Sequence, residues 1–228
     1  MPQPWVASNG AGAINGIVYV PGGQGTSHVF TNSLFAYNPS TNTWSSKAPM
    51  PTALGCGGSG VFNGKLYVYG ICKADGSTQS GLYVYDPATN SWGGRIDAPA
   101  RKFPAVAVVN GKLYLAGGQS LSGTISTAVS AYDPATGQWT DLPPMAVPRS
   151  AATAVGLNGL LYVMGGYYNG IKPLTTVEVY NPATTTWRTV AGMPTARWSL
   201  GAGAINGKLY AVGGGNVETV SKTEVYTP

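Results

Sequence analysis

Asn206-Gly207-Lys208-Leu209-Tyr210-Ala211-Val212-Gly213-Gly214 reads as a tight turn, an apolar strand and a glycine pair. The same order runs through Asn15 to Gly23, Asn63 to Ile71, Asn110 to Gly118 and Asn158 to Gly166. The turn asparagines fall at 15, 63, 110, 158 and 206, at intervals of 48, 47, 48 and 48 residues. A period held along a whole chain marks a repeat architecture, in which no unit buries a core alone. Asn-Gly supplies the positive φ that a type I′ hairpin turn demands at both central positions.

Outward from that stretch, each repeat reads as four strands. The first is built of small residues: Gly10 to Ile14, Gly55 to Val61, Pro104 to Val109, Ala151 to Leu157 and Gly201 to Ile205. Such strands suit a place where several backbones converge. The second is apolar and β-prone (Leu66-Tyr67-Val68-Tyr69, for example) and reads as covered on both faces. It closes in Gly-Gly except in the second repeat, which has Gly70-Ile71. After a variable loop, the third strand ends at Tyr37-Asn38-Pro39, Tyr85-Asp86-Pro87, Tyr132-Asp133-Pro134, Tyr180-Asn181-Pro182 and Tyr226-Thr227-Pro228. Asp or Asn before Pro starts a turn by bonding its own backbone. Trp44, Trp92, Trp139 and Trp187, each five residues past the proline, mark a fourth strand.

Composition agrees and excludes several classes. Thirty-three Gly and 17 Pro in 228 residues disfavour long helices. Hydrophobic residues at 43% can fill a sizeable core, and charged residues are only 9%. The net charge of +5 comes from a shortage of acids, and the 13 Lys and Arg form no run. No nucleic-acid partner is therefore expected. No apolar stretch approaches the roughly 18 residues of a spanning helix, so no membrane partner is expected either. No signal peptide is visible at Met1-Pro2-Gln3-Pro4-Trp5. Low charge with abundant Ser, Thr, Asn and Gly leans towards an extracellular setting without fixing the compartment.

Gly-Gly, then Tyr-Asp-Pro, then Trp, at a period near 50, resembles the kelch repeat. The resemblance covers nearly the whole chain and implies an all-β fold. The expected form is a β-propeller of five four-stranded blades around a central channel, one domain over 1–228. The repeats lie at about 1–48, 49–95, 96–143, 144–191 and 192–228. Kelch propellers serve as protein-binding domains, sugar-processing enzymes and scaffolds, so the resemblance leaves function open.

Two arrangements of the ends compete. Gly10 to Gly16 is identical to Gly201 to Gly207, which starts the chain at a first strand and leaves the fifth blade without its own outer, Trp-bearing strand. Alternatively, Pro2 to Val6 pair as that missing strand, placing Trp5 at the usual distance beyond Pro228. The first is favoured, because Trp5 stands only five residues before Gly10, whereas Trp187 stands 14 before Gly201. It implies a fragment, or an assembling unit with an open fifth-blade edge.

Chemistry-bearing residues are sparse. His28, Cys56 and Cys72 are the only His and Cys, and His28 belongs to another repeat, so neither a metal site nor a cofactor is expected. Folding about Asn63-Gly64 brings Cys56 opposite roughly residue 71 or 72, close enough for a disulfide, with two free thiols as the alternative. Asp86 and Asp133 read as turn residues, and Glu178 and Glu224 share one repeat position that argues for a blade role. Asp75 is the acid best placed on a ligand-facing loop, and no carboxylate pair is visible.

Arg101, Arg149 and Arg197 recur at intervals of 48 before the first strands. They read either as guanidinium hydrogen-bond posts between blades or as a cationic rim suited to carboxylates. The resemblance implies a contact face at the mouth formed by first-strand starts and the loops after Gly-Gly. Carried onto this chain, that face comprises Ser8, Gln24, Lys73, Phe103, Gln119, Tyr167, Tyr168, Asn169, Ser199 and Asn216, with Arg149, Arg197 and Trp198 beside it. Aromatic faces with amides and hydroxyls suit a protein or glycan ligand. Non-catalytic recognition is the leading expectation. A sugar-processing enzyme resembling kelch-type sialic-acid mutarotases is the first alternative, and a scaffold assembling through an open blade edge the second.

Overall fold

The computed structural model describes residues 9–25, 28–169, 172–216 and 218–228 in full, and the backbone of residues 5–7. Its described residues contain strands and no helix. They divide into two compact units, Met1–Lys102 and Phe103–Pro228.

The first unit holds two antiparallel sheets. In one, Gly12–Ile14, Ile17–Gly25, Phe30–Asn38 and Thr43–Lys47 pair in chain order, and Trp5–Ala7 adds to Ile17–Gly25 through Trp5 opposite Gly25 and Ala7 opposite Gln24. The N-terminal strand thus lies in the first blade. This is the favoured arrangement of the ends, and it corrects the alternative that used Val6 in the fifth blade. Pro2 and Ser8 lie outside the described residues. In the second sheet, Leu54–Gly55 and Gly58–Phe62 both pair with Lys65–Lys73, followed by Thr78–Asp86 and Ser91–Trp92. The core joins Leu34, Met50, Leu66, Val68 and Tyr85.

The five Asn-Gly pairs that begin the second strands take the conformation their chemistry favours: Asn63 and Gly64, for example, have φ of 48° and 68°. The tryptophans stand directly across from the tyrosine of the preceding strand, as in Tyr37 opposite Trp44 and Tyr85 opposite Trp92. Cys56 and Cys72 are joined in a disulfide with a Cα–Cα distance of 5.6 Å. The bond ties the break in the first strand to the far end of the second.

Tyr69 is fully buried, with its hydroxyl 2.8 Å from the Pro99 carbonyl and 2.6 Å from that of Arg101. Burial pushes the phenol up to about 12, partly opposed by the Arg101 backbone and charge. The folded chain keeps this proton in a range where an unfolded chain, titrating near 10, has released it. The contribution is therefore full below pH 10 and lost as pH rises through about 12. Tyr69→Phe is expected to be less stable at neutral pH yet to lose stability less steeply between pH 10 and 12. Urea denaturation at stepped alkaline pH reads the difference, and an unchanged slope refutes it.

The second unit holds three sheets. Ala105–Val109, Lys112–Ala116, Val129–Asp133 and Gln138–Leu142 form one; Thr153–Leu157, Leu160–Met164, Val177–Asn181 and Thr186–Val190 form the next. Gly201–Ile205, Lys208–Val212 and Thr223–Tyr226 form a three-stranded last blade, in which no strand among the described residues pairs with the outer edge of Thr223–Tyr226. Two clusters fill the spaces between these sheets, one around Ala107, Leu161, Val163 and Tyr180, the other around Val155, Tyr162, Leu200 and Leu209. The small residues of the first strands have a measurable cause: a Cβ on Gly156 would stand 2.4 Å from the Val108 carbonyl of the preceding blade.

Candidate functional site

The first strands do not run straight in from the loops. In four repeats the approach to the first strand is kinked by a non-glycine residue in the left-handed region: Cys56, Phe103, Ala151 and Ser199, with φ of 58°, 53°, 51° and 48°. None is Asn, Asp or His, the side chains that enter this region most readily, so local preference does not place them there. Tertiary hydrogen bonding does. In the second unit the Ala151 amide donates to the Phe103 carbonyl at 3.0 Å, and the Ser199 amide donates to the Ala151 carbonyl at 2.8 Å. The three loop-end kinks are thus linked in a row from blade to blade.

Aromatic groups gather beside that row. Phe103 is 41% exposed and Tyr168 is 42% exposed. Tyr167 is half-buried and exchanges backbone hydrogen bonds with Ser150 at 2.9 and 3.1 Å, which extends the first and second strands of its blade past the glycine pair. The Tyr167 ring meets Trp198 edge-on, with centroids 6.0 Å apart. Trp198 is itself fixed by paired backbone bonds with Gly215. Tyr167–Tyr168 pairs with Lys172–Pro173 in a short ribbon, and Asn169, at φ 46°, is exposed within the turn between them. Ser199 is exposed.

The amides expected on this face serve their own loops. Gln119 Nε2 donates to the Gly123 carbonyl at 2.8 Å, and Asn216 Oδ1 accepts the Glu218 amide at 2.8 Å. In the first unit, Gln24 Nε2 donates to the His28 carbonyl at 2.8 Å, and Lys73 ends its strand with its amide bonded to the Ser77 carbonyl. The three amide side chains shape loops and Lys73 belongs to the first unit, while Phe103, Tyr167, Tyr168, Asn169, Trp198 and Ser199, all of the second unit, form the candidate face.

Arg149 and Arg197 require a correction: both are 0% exposed and form no cationic rim. Arg149 donates through Nη1 to the Gly165 and Thr176 carbonyls, each at 3.0 Å, and its Nη2 pairs with Glu178 Oε2 at 2.5 Å. Glu178 in turn accepts the Ala146 and Val147 amides. Arg197 reaches the Gly213 and Lys222 carbonyls and stands 2.8 Å from Glu224 Oε1. The side chains run inward because strand-end carbonyls need donors there, and an arginine fork supplies several at once. Burial lowers the Arg149 pKa, against which the Glu178 charge works. Glu178 and Glu224 are the partners that make these buried guanidinium groups tolerable. Arg101 is likewise buried.

The other acids serve turns. Asp86 and Asp133 accept the amides two residues on, each at 2.9 Å, and pair with Lys65 and Lys112 at 3.0 Å. Hydrogen bonds from those lysines hold both carboxyls below the usual range. Asp75 accepts both the amide and the hydroxyl of Ser77, which lowers it similarly. His28 is exposed in its loop. No three His, Cys, Asp or Glu cluster as metal ligands among the described residues. No helix among them is long and apolar enough to cross a membrane.

One feature of the second unit escaped the sequence reading. A groove of about 340 Å³ lies at the opposite, turn-bearing end, between the blades that begin at Ala105 and Thr153. Its signal in the sequence is the departure of Thr185 from Asn42, Asn90 and Gly137, its counterparts in the other repeats.

Residues 10–215 match the family model described as the KLHDC2/KLHL20/DRC7 Kelch-repeats domain. The chain belongs to the kelch-repeat family. Its fold class is the kelch β-propeller, all-β with five blades. Among solved structures, that described as the structure of YjhT superposes with a TM-score of 0.80 at 20% identity, covering 95% of this chain and 80% of that one. At that identity the likeness speaks for fold alone. No curated protein matches the chain.

Proposed function

We propose that this kelch domain is a non-catalytic recognition module whose ligand, a protein segment or a glycan, is held at the loop-bearing end of the Phe103–Pro228 unit. The supporting observation is the pair of exposed aromatics, Phe103 and Tyr168, beside the Tyr167–Trp198 contact. Large rings on a backbone fixed by neighbouring strands offer contact area at low ordering cost and dominate binding energy at interfaces. A protein segment is the preferred ligand, because the exposed rings project from a ribbon and a kink rather than lining a deep pocket. The sugar-processing alternative draws little support, since the two arginines it would recruit are committed to buried ion pairs.

Tyr168→Ala combined with Phe103→Ala is expected to weaken binding of peptides selected on the wild-type domain by roughly 30-fold or more, the scale of at least one hot-spot truncation. Thermal stability should change little, as both side chains are exposed. A random-peptide display library and a glycan array, each screened against both proteins, make the measurement. Ligands that bind the double variant as tightly as the wild type would remove this face from the reading.

A further inference from the structure

The turn-end groove differs from its repeat-related counterpart by a pair of linked substitutions. In the first unit, Asn90 Oδ1 accepts the Tyr85 hydroxyl at 2.7 Å and the Ala48 amide at 3.0 Å, while Trp92 Nε1 donates to the Ala48 carbonyl at 2.8 Å. One asparagine side chain therefore bridges the tyrosine to the return segment of the preceding blade. In the second unit the tryptophan bond persists, Trp187 Nε1 donating to the Pro143 carbonyl at 2.8 Å. But Pro143 has no N–H to give, and Thr185 replaces the asparagine that would have accepted it. Acceptor and donor have been lost together.

Two consequences follow. The Tyr180 hydroxyl, whose counterparts Tyr37 and Tyr85 each bond an asparagine, has no hydrogen-bond partner among the described residues. Thr185 sits at φ 55°, a conformation that asparagine and glycine enter readily and a β-branched residue avoids. Strain of this sort persists where surrounding structure imposes it, and it gathers at binding sites. Here both features line the same groove, together with Tyr114, Asn110, Thr140 and the Lys112–Asp133 pair.

From this we infer that the groove is a second ligand site, distinct from the loop-end face, and that it takes a small neutral saccharide. Its volume lies at the lower end for ligand pockets. Its polar groups are the Tyr180 phenol, the hydroxyls of Thr140 and Thr185, and the Asn110 carboxamide, whose Nδ2 already donates to the Gly159 carbonyl at 3.4 Å. Its one lysine is neutralised by Asp133 at 3.0 Å, so the groove offers no net charge to an ionic ligand. The rings of Tyr114 and Tyr180 are themselves buried, 3% and 1% exposed, so the Tyr180 hydroxyl is a sequestered polar group at the floor of the groove that a ligand hydroxyl could partner.

The experiment is a titration of the isotopically labelled chain with glucose, galactose, N-acetylglucosamine, lactose and chitobiose to tens of millimolar, followed by backbone amide shifts. Saturable shifts at Asn110, Tyr180 and Thr185 with at least one sugar are expected. Tyr180→Phe, which deletes only the hydroxyl, should weaken that binding by up to roughly ten-fold, the worth of one hydrogen bond. Thr185→Asn with Pro143→Ala restores the bridge of the other repeat and should abolish it, while Tyr168→Ala at the loop end should leave it unchanged. No saturable shift at these residues with any of the five sugars overturns the inference. So does binding indifferent to Tyr180→Phe, or binding that survives in a folded Thr185→Asn, Pro143→Ala protein.

Discussion

Arg149→Ala is expected to destabilise the domain by about 3–5 kcal/mol, the cost of leaving one member of a buried ion pair without its partner. For a chain of this size that corresponds to a fall of roughly 6–20 °C in Tm. The expectation rests on burial and on what is orphaned. Arg149 and Glu178 are 0% and 1% exposed. Truncation leaves a carboxylate out of water, takes the guanidinium donor from the Gly165 carbonyl, and leaves the Thr176 carbonyl with the Gly165 amide alone. Glu178→Ala should cost a similar amount, because it strands a guanidinium and the Ala146 and Val147 amides. The double substitution Arg149→Leu, Glu178→Leu should cost less than the sum of its single changes, since a buried pair replaced as a unit leaves no isolated charge, although the freed backbone groups prevent full recovery. Glu224→Ala should be milder than Glu178→Ala, as the Glu224 side chain is 14% exposed and water can enter. Disrupting the exposed Lys65–Asp86 pair should change little. Denaturant titration of the single and double variants gives the coupling energy directly. Arg149→Ala within about 1 kcal/mol of wild type would mean that the guanidinium is not a post of the blade.

The contrast between Arg149 and the turns shows what a sequence makes legible. Asn63-Gly64 or Asp86-Pro87 report their conformation locally: the same residues that prefer the turn also satisfy it. The Tyr–Trp pairing across the third and fourth strands follows from equally local chemistry, since a short turn fixes which residues face each other. The direction of an arginine is not local information. At intervals of 48 residues the guanidinium groups read equally well as a rim or as buried posts, and only the carbonyls of Gly165, Thr176, Gly213 and Lys222 decide between them. The kinks at Phe103, Ala151 and Ser199 run against residue preference, so no propensity could announce them. They follow from amide–carbonyl bonds between neighbouring blades. Within the candidate face, Phe103, Tyr168 and Trp198 are conspicuous in the sequence as aromatic residues near the first-strand starts and loops. Gln119 and Asn216 looked equally available, but their side chains are spent on loop backbone. The groove was missed because its signal is two absences, an amide at Pro143 and an acceptor at residue 185, which have meaning only beside the bonded pair at Ala48 and Asn90.

Gly165→Ala is expected to be more damaging than its single added carbon suggests, by several kcal/mol. Two costs combine. The residue sits at φ 64°, where an L side chain costs roughly 1–2 kcal/mol. A Cβ there would also stand 2.5 Å from the Arg197 carbonyl and 2.9 Å from the end of Met193. Met193 can yield, but the carbonyl cannot, because it accepts the Gly166 amide at 2.9 Å and belongs to the residue whose guanidinium is buried. The preceding blade repeats the arrangement: Gly117 would place a Cβ 2.4 Å from the Arg149 carbonyl, and that carbonyl accepts the Gly118 amide at 2.8 Å. This supplies a physical reason for the glycine pair in these two blades. The first glycine lets the arginine backbone of the next blade come close, and the second bonds to it. Where the second blade of the chain has Gly70-Ile71, Gly70 is not in the left-handed region and the strand continues to Lys73. Gly207→Ala separates the two costs, since Gly207 has φ 74° and no neighbour within 4 Å of its added carbon. It should lose only the conformational part, roughly 1–2 kcal/mol. Equal losses for Gly165→Ala and Gly207→Ala in denaturant titrations would show that backbone conformation, and not the approach of the arginine carbonyl, requires glycine at position 165.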